Sequence, residues 1–173
     1  MTEVKKHTIV ALVQDQPGVL NRISSLFRRR MFNIDSLAVG PSERPGLSRL
    51  TLVIKADADG LEQVVKQLYK LIDVIKISEL DEETSVQREL ALIKVSAPAP
   101  VRAEIIPIID IFRAKIIDVA PDALIIEATG TEDKIDALIS LLRSYGIQEV
   151  VRTGRVAMSR ASARARAVQA RSA

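Results

Sequence analysis

The spacing of apolar and polar positions changes repeatedly along the chain, and each change marks an element. Residues 7–13, "HTIVALV", are rich in β-branched types and do not alternate, which is the pattern of a strand buried on both faces. A turn follows in "QDQPG", and then Val19, Leu20, Ile23, Leu26 and Phe27 fall on one stripe, predicting a helix over residues 18–30. Arg28, Arg29 and Arg30 crowd its last turn, where cations complement the helix dipole, so they read as a capped, solvated helix end. Residues 33–40, "NIDSLAVG", alternate as a second strand, and the Pro- and Gly-rich "PSERPG" turns the chain into a third, Leu47–Ala56. "ADADG" opens a second helix with Asp57 and Asp59 as capping candidates and with Leu61, Val64, Val65, Leu68, Leu71 and Ile72 on one face. Two neighbouring carboxylates can also form an acid and base pair, but at a helix start they serve as caps. "VIKISEL", Val74–Leu80, completes a βαββαβ order.

The order recurs. "DEETSVQRE", residues 81–89, shows no apolar periodicity and reads as a polar joint between domains. Beyond it come a strand at 90–96, a helix around 101–113, strands "KIIDVA" and "ALIIEAT", a helix at about 132–144 and a strand "IQEVVRT". The predicted class is α+β, with two ferredoxin-like βαββαβ domains, each a four-stranded sheet carrying two helices on one face. Expected boundaries are 5–81 and 88–158, with a basic, disordered tail at 159–173. Domains this small bury only about 60–65% of their chain surface alone, so each is expected to gain from a partner.

Composition narrows the function. The net charge of +3 is a property of the tail: residues 152–173 hold six arginines and no acid, leaving 19 basic and 22 acidic groups before them. An Ala, Ser and Arg tail reads as a solvated terminus, with a nucleic-acid or acidic-partner contact as the alternative. With no Cys and a single His, thiolate catalysis, disulfides and Cys- or His-based metal clusters are excluded, and a reducing cytoplasm is the expected compartment. No apolar run approaches the roughly 18 residues that span a bilayer, and "MTEVKKHTIV" lacks a secretory core. Neither a G-x-G-x-x-G nor a G-x-x-x-x-G-K loop is present. Aromatics total 3% and are missing from residues 7–13 and 47–56, so a base-stacking RNA surface is not expected. His7 reads as a strand-end residue. No catalytic or metal-binding residue is assigned, and a module that binds a small ligand or a partner remains.

The turn from Asp15 to Leu20 is then the most informative stretch. Pro17 near the first helical position has no N–H to waste, and the amides after it point out of the helix with the dipole's positive end behind them, ready for a carboxylate. Gly18 lets a ligand approach the backbone. Asp15 can accept from an ammonium group, Val19, Leu20 and Ile34 can line an apolar pocket, and Asn33 can bond to either charged end of an amino acid. These features fit a zwitterionic aliphatic amino acid. They also fit an ordinary strand-to-helix turn, and spacing alone leaves both readings standing.

"DQPGVLNRISSLFRRRMFNIDSL", "LSRLTLVI" and "QLYKLIDVIKISEL" resemble the N-terminal ACT domain of the small, regulatory subunit of acetolactate synthase (acetohydroxyacid synthase). "RELALIKV", "IFRAKIIDV" and "LIIEATGTEDKIDALISLLRSYGIQEVVRTGRVAMSR" extend the resemblance over about residues 5–160. It implies a non-catalytic chain that binds and activates the large catalytic subunit and confers feedback inhibition by branched-chain amino acids, usually valine, in valine, leucine and isoleucine synthesis. Thiamine diphosphate, magnesium and FAD are then expected on the large subunit, with no cofactor on this chain. It also implies homodimers through paired ACT domains, with the effector between subunits at Asp15, Gly18, Val19, Leu20, Asn33 and Ile34, and neither nucleic acid nor membrane as partner. A free-standing amino-acid-responsive regulator is the alternative, although no helix-turn-helix is evident. Family members often carry Asn at the position of Asp15 and Gly at that of Met31, so Met31 implies a different local geometry there.

Overall fold

The computed structural model describes residues 4–162, which divide into two compact units: one from the N-terminus to Val86 together with Arg155 onward, the other Gln87–Gly154. In the first unit, β1 (Lys5–Gln14), α1 (Val19–Arg29), β2 (Ile34–Pro41), β3 (Leu47–Ala56), α2 (Ala58–Leu68) and β4 (Val74–Leu80) form an antiparallel sheet in the order β2-β3-β1-β4. The period-two positions decide what the sheet covers. Ile9, Ala11 and Val13 of β1 join Leu50, Leu52, Ile54 and Ala56 of β3 in one core with Val19, Ile23 and Phe27 of α1 and Leu61, Val64 and Leu68 of α2. Thr8, Leu12, Thr51 and Val53 are buried as well. The unalternating "HTIVALV" thus marks a central strand covered on both faces.

The second unit repeats the plan with β5 (Ser85–Ser96), α3 (Ala99–Ile111), β6 (Lys115–Val119), β7 (Ala123–Gly130), α4 (Glu132–Leu142) and β8 (Ile147–Arg152), in the order β6-β7-β5-β8. Its core gathers Ile93 and Val95 of β5, Ile105 and Ile109 of α3, Leu124 and Ile126 of β7, and Ile135, Leu138 and Leu142 of α4. The α+β class with two ferredoxin-like repeats is the observed fold.

Three local expectations change. The polar joint is partly strand: β5 begins at Ser85, and both Ser85 and Glu89 are buried. Polar side chains hid the strand because they are satisfied locally: Ser85 Oγ donates to Asp81 O at 2.5 Å, and Glu89 pairs with Arg152. A further strand, β9 (Val156–Ser159), pairs with β5, and residues from Arg155 onward group with the first unit. Arg160 follows it in order, its backbone N–H donating to Thr84 O at 2.9 Å and its Nε to Glu83 O at 3.0 Å. The remainder of the expected disordered tail, residues 163–173, lies outside the described residues.

Met31 does not depart from the glycine geometry; it adopts it. Its φ is 58°, and the N–H groups of Phe32 and Met31 donate to Phe27 O and Arg28 O at 3.1 and 3.2 Å, the bond pair that closes a helix through a left-handed residue. Arg113 repeats this after α3 with φ 52°, and there Ala114 and Arg113 donate to Ile109 O and Asp110 O at 2.9 and 3.0 Å.

Candidate functional site

The end of β1 is held twice before it turns: the Gln14 N–H donates to Asp73 O and the Asp15 N–H to Gly46 O, both at 2.9 Å. Gly18 then takes φ 88° and ψ −9° as the N-cap of α1. That left-handed backbone cannot belong to the helix, so Val19 is the first helical residue and Pro17, read from sequence as near that position, lies one residue ahead of the cap. No side chain caps the helix. The first intrahelical bond runs from the Arg22 N–H to Gly18 O at 3.0 Å, and the Val19 N–H is spent on a long 3.4 Å contact with Gln16 O. The amides of Leu20 and Asn21 precede that first bond and face outward at the positive end of the dipole. Nothing lies within 4 Å of where a Cβ on Gly18 would sit, so the ground before these amides is open.

The predicted residues divide by role. Val19 is 4% exposed and packs into the core, so it anchors the helix rather than lining a pocket. Leu20 is 45% exposed and supplies the apolar surface at the turn, beside the exposed Asp15, Pro17 and Gly18. Asn33 and Ile34 are elsewhere. Ile34 pairs with Ile54, which pairs with His7, whereas the turn adjoins the Gln14 and Leu47 end of the same strands. Seven residues of β1 separate the two ends, roughly 20 Å. A single chain therefore does not bring Asn33 to the turn.

Other candidates resolve into structure. Asp57 caps α2, its Oδ1 accepting from the Gly60 N–H at 2.9 Å, with Asp59 in the first turn. His7 braces a strand end, with Nε2 3.2 Å from Ala56 O and Nδ1 3.4 Å from Glu79 Oε1. Arg29 and Arg30 border an open groove of about 470 Å³ between α1 and α2, with Arg22 and Lys70. Among the described residues no group of three or more His, Cys, Asp or Glu is arranged to hold a metal, and no helix is long and apolar enough to cross a membrane. Sequence reasoning missed Arg22 and Asp73. Arg22 Nε lies 2.8 Å from Asp73 Oδ2 and Nη2 donates to Asp73 Oδ1 at 3.2 Å. The available signal was a lone acid inside the apolar stretch "LIDVI".

Two βαββαβ units, the first with a helix entered through a left-handed glycine, define an α+β protein of tandem ferredoxin-like units. A family model for the AHAS small subunit-like ACT domain matches residues 9–76, and one described as the small subunit of acetolactate synthase matches residues 88–161. A probable acetolactate synthase small subunit from Archaeoglobus fulgidus is 57% identical over 155 residues, covering 90% of this chain and 97% of that protein. The acetolactate synthase small subunit of Mycolicibacterium smegmatis is 54% identical, over 89% of this chain and 91% of its own. The crystal structure of the acetolactate synthase small subunit from Thermotoga maritima superimposes with a TM-score of 0.85 at 46% identity, covering 90% of this chain and 98% of that one. The chain belongs to the acetolactate synthase small-subunit family.

Proposed function

We propose that this chain binds the large, catalytic subunit of acetolactate synthase, raises its activity, and makes it sensitive to feedback inhibition by a branched-chain amino acid, valine foremost. Membership of a small-subunit family supports the partner, since a small subunit implies a large one. The observation that carries the effector reading is the uncapped start of α1 behind Gly18. The effector carboxylate accepts from the Leu20 and Asn21 amides, where the dipole favours negative charge without a basic side chain. Its ammonium group faces Asp15, and its aliphatic side chain lies against Leu20.

Asn33 enters from a second copy. The turn and Asn33 lie at opposite ends of one sheet, so two copies placed side by side in antiparallel relation set each turn against the other's Asn33 and Ile34. A ligand held by both copies biases their arrangement, and a coupling of about 1–3 kcal/mol changes the output of an attached enzyme several-fold or more.

Calorimetry of valine binding to the full chain tests this. Gly18→Asp places a carboxylate in the open space before the amides and is expected to abolish binding. Gly18→Ala isolates the backbone strain, about 1–2 kcal/mol for a non-glycine residue in this region, and is expected to weaken binding less. Undiminished valine affinity in Gly18→Asp would place the site elsewhere.

A further inference from the structure

We infer that Asp73, acting through Arg22, is the positioning residue that sets the effector turn, an inference that rests on the effector reading above. Asp73 immediately precedes β4 and is 3% exposed. One residue holds both flanks of the turn. Its backbone carbonyl accepts from Gln14, the last residue of β1, and its carboxylate pairs with Arg22, whose own N–H makes the first intrahelical bond to Gly18 O. Residues 15–21, which carry every proposed contact on this copy, are therefore suspended between two attachments to Asp73, with the Asp15 bond to Gly46 O as a third.

The chemistry of the pair argues for geometry over stability. Arg22 stands one turn into α1, where a cation opposes the helix dipole and is a poor choice for helix stability. A buried carboxylate facing a cation costs desolvation, and replacing such pairs with apolar residues is often neutral or stabilising. Here Oδ2 lies close to Nε without an aligned hydrogen bond, while Oδ1 accepts from Nη2. One hydrogen bond and one close ionic contact on a planar guanidinium restrain the rotation of α1 about its axis. That rotation decides where the Leu20 and Asn21 amides point, and a hydrogen-bonding site tolerates only about 0.5 Å and 10–20° of error. Asp73 cancels the charge of Arg22 without occupying the open side of Gly18.

The test compares the native full chain with Asp73→Asn, Arg22→Gln and Arg22→Lys. Valine affinity is read by calorimetry, activation by mixing each chain with purified large subunit, and amide hydrogen exchange without ligand. Asp73→Asn and Arg22→Gln are expected to weaken valine binding at least ten-fold while activating the large subunit as the native chain does. Arg22→Lys, with one contact restored, should recover part of the affinity, and the double variant should be no worse than either single one. Exchange should speed up at residues 15–22 and stay unchanged in β3. Valine binding within two-fold of native in Asp73→Asn, or affinity lost only in step with activation, would overturn the inference. If the native chain bound no valine, the effector reading would fail, and exchange alone would decide the positioning: faster exchange confined to the turn upholds it, unchanged exchange overturns it.

Discussion

Gly18 and Met31 bound α1, and both lie at positive φ, a conformation that costs glycine little and methionine more. Gly18 has open space before it, so its missing side chain is accounted for by the backbone conformation and not by crowding. Met31, 90% exposed, contributes little packing that would repay a left-handed backbone. Met31→Gly should therefore stabilise the first unit by about 1 kcal/mol, relief of strain outweighing the freedom that glycine adds to the unfolded chain. Urea denaturation checks this, and an unchanged or lower midpoint at equal slope would contradict it. Gly18 was legible in sequence because turn chemistry is local. Arg22 and Asp73 were not, since they lie 51 residues apart and meet only once β1 and β4 are paired.

Among elements, apolar periodicity located the helices and most strands to within a residue or two, because each buries one stripe or face. It failed where burial is polar. Ser85 and Glu89 are buried in β5 through hydrogen bonds and an ion pair, which leave no hydrophobic pattern. The four-residue β9 was too short to show a period. Its approach is also polar: Arg155 Nη1 donates to the hydroxyl of Thr8 at 3.0 Å, and Thr8 is 3% exposed. Arg155→Ala leaves that hydroxyl buried without this donor and should cost about 1–3 kcal/mol. In a Thr8→Val background the same change should cost less, because no orphaned hydroxyl remains. Equal losses by thermal unfolding in the two backgrounds would show that the contact contributes nothing.

In the molecule as a whole, the two units share their element order and the left-handed helix ending, but not the entrance to the first helix. In the second unit the N-cap is Pro98 at φ −60°, and Arg102 closes the turn, donating from Nε to Ala97 O at 2.9 Å and from Nη2 to Ala120 O. The two helix entrances thus differ in backbone: extended at Pro98, left-handed at Gly18, where nothing lies within 4 Å of the Cβ position. The repeat was legible because the order of periods repeats even where residue identities do not. The separation of Asp15 from Asn33 is set by strand register, which residue spacing does not report; only the family resemblance, which places the effector between subunits with Asn33 from the partner, implied it.

Reconstitution reads partnership and feedback together: pyruvate turnover by the purified large subunit, measured alone, with this chain, and with this chain and increasing valine. Expected are no turnover by this chain alone, increased turnover when the two are mixed, and loss of that increase with valine for the native chain but not for Gly18→Asp. Turnover by this chain alone, or a large subunit indifferent to its presence, would contradict it.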